Sequence, residues 1–210
     1  MSSLIFELSP DSINVATDTL ATLPSGEPAF FSTKAIYIPH LRMIVAGTGV
    51  AGVMGQWVQQ MNDHMMLSGI LNVAHHAPEN LRKIWANIKT KNGLLEGQSS
   101  TIYHLGISEE NETFGFMSRS NNDFLTEPME HGWGVKPECE LPKEETNLAR
   151  GIQKMMAQQR KTQDAKPKSE RIYIGGECMI WHLTRDKCVS FKAFEFPDHK
   201  DQRAQALKSL

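Results

Sequence analysis

Short alternating runs open the chain, and amphipathic runs follow them. Leu4 to Leu8 reads as a strand, Ser9-Pro10-Asp11-Ser12 as a turn and Ile13 to Thr17 as its hairpin partner. Thr22 to Pro28 holds two Pro, a Ser and a Gly and reads as a loop. Phe30-Phe31, Ala35 to Ile38 and Met43 to Ala46 read as further extended segments, with Pro39-His40 turning the chain. Several strands with no helix between them argue for antiparallel hairpins rather than a βαβ unit.

Beyond Gly47 to Gly52 the period changes. Val53, Trp57, Met61 and Met65 recur every four residues, which predicts a helix from Val53 to Met66. Pro78 and Glu79 mark the start of a second helix, Glu79 to Lys89. Strands are expected at Ser100 to Ile107 and Thr113 to Ser118, joined by the acidic loop Glu109 to Glu112. Asn121 to Pro142 is rich in turn formers and yields no clear element. A third helix is expected from Lys143 to about Arg160, burying Leu148, Ile152, Met155 and Met156. Lys161 to Glu170 reads as a surface loop, Arg171 to Leu183 and Cys188 to Phe196 as a last hairpin, and 200–210 as a polar tail. This order predicts an α+β fold in which two stacked antiparallel sheets lie between helical layers, a four-layer αββα sandwich.

Composition narrows the picture. The 210 residues are 40% hydrophobic, enough for a core, and are expected to form one domain spanning 1–210. The net charge of −2 gives no basic excess, so no nucleic-acid partner is expected. No apolar run approaches the ~20 residues that span a bilayer, and no basic n-region suggests a signal peptide. Cys139, Cys178 and Cys188 lack metal-ligand spacing, and the odd count favours reduced thiols in a cytoplasmic protein. The histidines lack ligand spacing as well, so neither metal nor cofactor is expected.

The candidate chemistry lies at the start of the chain. Ser2, Asp18 and Lys34 follow one another at intervals of 16 residues. A Ser exposed by removal of Met1 carries its own amine, which can take the hydroxyl proton. That amine titrates near pH 8 in a model peptide. A nearby Lys34 ammonium would lower its pKa by like-charge repulsion, and Asp18 would hold Lys34 in place. Backbone N–H groups at Gly47 and Thr48 would stabilise a tetrahedral oxyanion.

These residues resemble the motifs of proteasome-type N-terminal nucleophile hydrolases, the proteasome β-subunits and their simpler bacterial relatives. The segment Val15 to Thr22 is similar to the family's Asp-bearing strand, and Lys34 stands before a hydrophobic strand as in that family. Ala46-Gly47-Thr48-Gly49 falls near its oxyanion-site Ala-Gly-Gly, and Ile174-Gly175-Gly176 looks like its late Gly-Gly strand. The resemblance implies the four-layer sandwich, a peptide or small amide substrate, and a homo-oligomer. The Trp and Met content of the Val53 helix adds apolar surface for such contacts.

The match has gaps. Where the family carries an Asp and a Ser near the late Gly-Gly, this chain has Arg171 and Ile174, with Glu170 one residue out of step. The supporting Ser of the middle region has no counterpart around His131 to Gly134. A catalytically inactive, oligomeric scaffold or binding module is therefore the alternative. A third reading rests on Gly47-Thr48-Gly49-Val50-Ala51-Gly52, which satisfies GxGxxG. Its simpler explanation is close packing of a helix on a sheet.

Overall fold

The computed structural model describes residues 2–23, 25–63, 67–93, 97–142 and 145–208. Strands β1 (Leu4–Leu8) and β2 (Ser12–Asp18) form the opening hairpin. Its turn is closed by the Ser9 N–H and hydroxyl, both donating to the Ser12 carbonyl at 3.0 and 2.8 Å. Then come β3 (Leu20–Thr22), β4 (Pro28–Phe31), β5 (Ala35–Ile38) and β6 (Met43–Gly49). Helices α1 (Val53–Asp63) and α2 (Ile70–Asn92) lead to β7 (Ser100–Ile107), β8 (Thr113–Arg119), β9 (Thr126–Pro128) and β10 (Gly132–Lys136). The chain closes with α3 (Leu148–Asp164), β11 (Glu177–Thr184), β12 (Cys188–Glu195) and α4 (His199–Lys208).

Among the described residues this is a mixed α+β chain of three sheets and four helices, and every strand pair is antiparallel. One five-stranded sheet runs β10-β1-β2-β11-β12, the other β5-β6-β7-β8-β9, and β3-β4 form a small third sheet. Both large sheets are buried on two faces, so their central strands read as continuous apolar runs. Leu4, Phe6, Val15 and Trp181 of the first pack with Ile44, Ala46, Tyr103 and Leu105 of the second. On the opposite face of β7, Ile102 joins Val45 and Phe116 under Trp57, Val73, Leu81 and Trp85 of the two helices. Ile152, Met155 and Met156 of α3 cover Ile5, Ala16 and Ile180.

Several expectations are corrected. Trp57 and Met61 do not form a surplus apolar surface on α1; both are fully buried against the second sheet. Burying each such side chain contributes roughly 1.5–3 kcal/mol, so the sheet claims that face. Met65 and Met66, expected in the same helix, lie outside the described residues. The second helix does not begin at Glu79. Pro78 sits inside α2, because Ile70, Val73 and Ala77 continue the apolar stripe of Leu81, Ile84 and Ile88. A Pro within a helix leaves the carbonyl four residues back without its donor. Here that carbonyl, of Ala74, accepts from the Thr126 hydroxyl at 2.6 Å.

The turn-rich 121–142 region holds β9 and β10, and β10 closes the edge of the first sheet beside β1. The third helix starts later and ends later than expected, capped by the Asn147 side chain, which accepts from the Arg150 N–H at 3.0 Å. Residues 171–176 are not strand; β11 starts at Glu177. The polar tail includes α4. No helix of the described residues is long and apolar enough to cross a membrane.

Candidate functional site

Asp18 ends β2 and is fully buried. Its Oδ1 accepts the Lys34 ammonium at 2.8 Å and the Ser3 N–H at 2.9 Å, while Oδ2 accepts the Gly175 N–H at 3.2 Å. Lys34, in the link before β5, also donates to the Leu20 carbonyl at 2.7 Å and is 9% exposed. A buried carboxylate without such donors would cost several kcal/mol, so this ion pair holds the ends of β2 and β5 together. The interval of 16 residues thus brings Asp18 and Lys34 into contact. Ser2 stands one residue from the amide bound to the same carboxylate oxygen. It is 8% exposed, and its hydroxyl has no hydrogen-bond partner among the described residues.

Gly47 and Thr48 lie near the end of β6. The Gly47 N–H donates to the Lys34 carbonyl at 3.1 Å, so it ties β6 to the ion pair. Thr48 is buried and its hydroxyl has no partner among the described residues. The glycines here serve packing. A Cβ on Gly47 would lie 2.8 Å from Met54 Cβ of α1, and Gly49, at φ +102°, would drive one into the Ser99 carbonyl. The strand before this segment pairs only antiparallel, so no dinucleotide-type βαβ unit surrounds it.

Glutamines that escaped the sequence reading complete the surroundings. Gln159 and Gln163 extend the buried stripe of α3. Gln159 Oε1 accepts the Ser3 hydroxyl at 2.5 Å, and its Nε2 donates to the Pro137 carbonyl at 2.5 Å. Gln163 accepts the Ile172 N–H, and Gln202 of α4 accepts the Gly176 N–H at 2.8 Å. Gly175 O in turn receives the Thr19 and Leu20 amides. These amide side chains occupy the region where an Asp and a Ser were expected. The available signal was polar residues at core positions of a helical stripe, Ile152, Met155, Gln159, Gln163.

The contacts close into a ring: Asp18 to Ser3, Ser3 to Gln159, Gln159 to Pro137, Lys136 to Thr101, Thr101 beside Thr48, Gly47 to Lys34, and Lys34 back to Asp18. Cys178, paired with Asp18 across β11 and β2, is an inert neighbour; burial and the Asp18 charge push its thiol pKa well up. Elsewhere, Glu177, Glu195 and His199 approach one another closely enough to hold a metal ion. Lys192 already bridges both carboxylates at 3.1 and 2.7 Å, so that cluster carries its own cation.

Solved structures with this arrangement of elements are Anbu proteins. Anbu, the ancestral β-subunit, from Yersinia bercovieri aligns with TM-score 0.60 and 12% identity, over 99% of this chain and 93% of that one. A Gly-1 mutant of Anbu from Hyphomicrobium sp. strain MC1 aligns with TM-score 0.62 and 10% identity, over 99% and 93%. Anbu from the same strain gives 0.59 and 10%, over the same shares. The fold is proteasome-like. At these identities the likeness speaks for the fold alone. No family model matches the chain, and no curated protein matches it. The resemblance to proteasome-type N-terminal nucleophile hydrolases is corrected accordingly: the structural neighbours are Anbu proteins, a distinct proteasome-like group. Short motifs at the chain start misled because β-hairpins, a strand-end Asp and a Lys recur within one fold irrespective of activity.

Proposed function

We propose that this Anbu-like chain is an N-terminal serine hydrolase that cleaves an amide bond in a peptide or small amide, with Ser2 as nucleophile after removal of Met1. The observation that carries the reading is the meeting of the Lys34 ammonium and the Ser3 N–H on one oxygen of buried Asp18. The Ser2 amine would act as base, Lys34 as the charge that tunes it, and Asp18 as the group that fixes Lys34. Gly47 is engaged with Lys34, so the oxyanion donor would fall to Thr48 or to the end of β6. The three apolar clusters support reading 1–210 as one domain of four layers.

The test is chemical. Protein expressed without a tag should lack Met1, and an electrophile that traps N-terminal nucleophiles should add once, at Ser2. Ser2→Ala should abolish the adduct without unfolding the chain, and Lys34→Ala should slow its formation. Retention of Met1 in the native host, or equal labelling of Ser2→Ala, would sink the hydrolase.

A second reading, a non-catalytic assembly module in the cytoplasm, has its own support. Ser2 is only 8% exposed, and glutamines stand around Ser3 and the Gly-Gly turn. A homo-oligomer would have to use surfaces other than α1, such as Trp133 or Phe191 on the two edge strands of the first sheet. Light scattering that finds only monomer at micromolar concentration would count against it.

A further inference from the structure

Lys136 is a cation without a carboxylate. It ends β10, lies half-buried, and donates to the Thr101 hydroxyl at 3.2 Å; among the described residues it makes no ion pair. Burial, and then the charge of Arg119, push its pKa down. Arg119 is itself held by Glu127 through two hydrogen bonds, so its charge is answered. With Asp18 matched to Lys34, Lys136 leaves the ring one positive charge in excess.

The register shows what faces this ammonium. Thr48, Thr101 and Arg119 are successive Cα partners across β6, β7 and β8. Residues directly opposite share a face. Thr101 alternates with Tyr103 and Leu105, which pack between the two large sheets. In the other sheet, Lys136 and Thr17 both pair with Leu4, which packs into the same space. Three threonines and a lysine therefore form a polar layer on top of the inter-sheet core. The Thr17 and Thr48 hydroxyls are buried, 1% and 4% exposed, without hydrogen-bond partners. Buried polar groups are rarely left so. The layer adjoins Ser2, because Gln159 binds both the Ser3 hydroxyl and the carbonyl of Pro137, the residue after Lys136.

We propose that Lys136, with Thr101 and Thr48, forms a carboxylate-binding subsite beside Ser2, so that the preferred amide carries an acidic group. This rests on the hydrolase reading only for the word substrate; the subsite itself is a claim about binding. A carboxylate supplies acceptors for the ammonium and the hydroxyls, and its charge balances the excess.

The test uses the full chain carrying Ser2→Ala and three acetylated tripeptides, followed by amide NMR shifts. They are Ala-Ala-Glu amide, Ala-Ala-Gln amide, and Ala-Ala-Gln with a free terminal carboxylate. A carboxylate on this site should tighten binding about tenfold over the neutral amide. A gain with the Glu peptide assigns the site to an acidic side chain, and a gain with the free terminus assigns it to the end of a chain. Lys136→Met should erase the gain and Lys136→Arg retain most of it. In the protein with native Lys136 the gain should shrink between about 50 mM and about 500 mM salt, which tests the claim even where Lys136→Met does not fold. Equal binding of all three peptides, no binding of any, a salt-independent gain, or a gain that survives Lys136→Met overturns the subsite. A chain that never labels at Ser2 yet keeps the gain loses the hydrolase and keeps the subsite.

Discussion

Two polar groups are wholly buried in this fold, and the molecule treats them in opposite ways. His104, on β7, lies under the helices with its ring stacked on Phe116 at 4.1 Å, and its Nε2 accepts the Trp57 N–H at 2.8 Å. Burial pushes its pKa down to about 3, so it is neutral at pH 7. Asp18 is equally buried but is met by an ammonium and two amides. In the helix–sheet core one neutral hydrogen bond suffices. At the sheet end a full ion pair is kept, next to a chain start with an unpartnered hydroxyl. Burial alone therefore does not mark a site; a retained charge beside an uncommitted nucleophile does.

The largest effect should come from breaking the charged region. Asp18→Leu leaves Lys34 buried and unpaired, and stability in urea should fall by about 3–5 kcal/mol. Adding Lys34→Met should recover much of that loss, since the orphaned charge goes with it. A double variant as unstable as the sum of the singles would mean that the pair is not coupled, and the contrast with His104 would lapse.

Next is the acid response of the neutral region. The folded pKa of His104 lies below its unfolded value of about 6.5, so the unfolded chain binds more protons between those values. Its contribution is fully present above about pH 6.5 and is lost as the pH falls toward 3. From pH 7 to pH 4 the loss should reach about 3 kcal/mol. Parallel urea titrations of wild type and His104→Gln measure it, because glutamine can still accept from Trp57 without titrating. Identical slopes would show that His104 is not the buried neutral base described here.

The smallest effect calibrates a neutral bond elsewhere. Thr126→Val removes the donor to the Ala74 carbonyl that Pro78 leaves open. The loss should be about 1–3 kcal/mol with no pH dependence between pH 5 and 8. A loss as large as that of Asp18→Leu would blur the distinction between charged and neutral burial.

Local order was legible from local pattern. The opening hairpin, the Val53 stripe, the β7–β8 and β11–β12 hairpins and the buried face of α3 all follow from periods of two and of 3.6, which each segment carries in itself. The spacing of Asp18 and Lys34 also sufficed to pair them, because only one β-turn region and two short strands intervene. Other features were decided by tertiary structure. Pro78 stays helical because a hydroxyl 48 residues away, on Thr126, serves the carbonyl it strands. Strand β10 exists because β1 offers an edge more than 120 residues upstream, and nothing in its own Gly-Trp-Gly-Val-Lys run demands it. Gln159 meets Ser3 across 156 residues, and Lys136 meets Thr101 across 35. Periodicity is set by the backbone and is readable in a short window. Which polar group answers which depends on how whole sheets stack, and no window contains that.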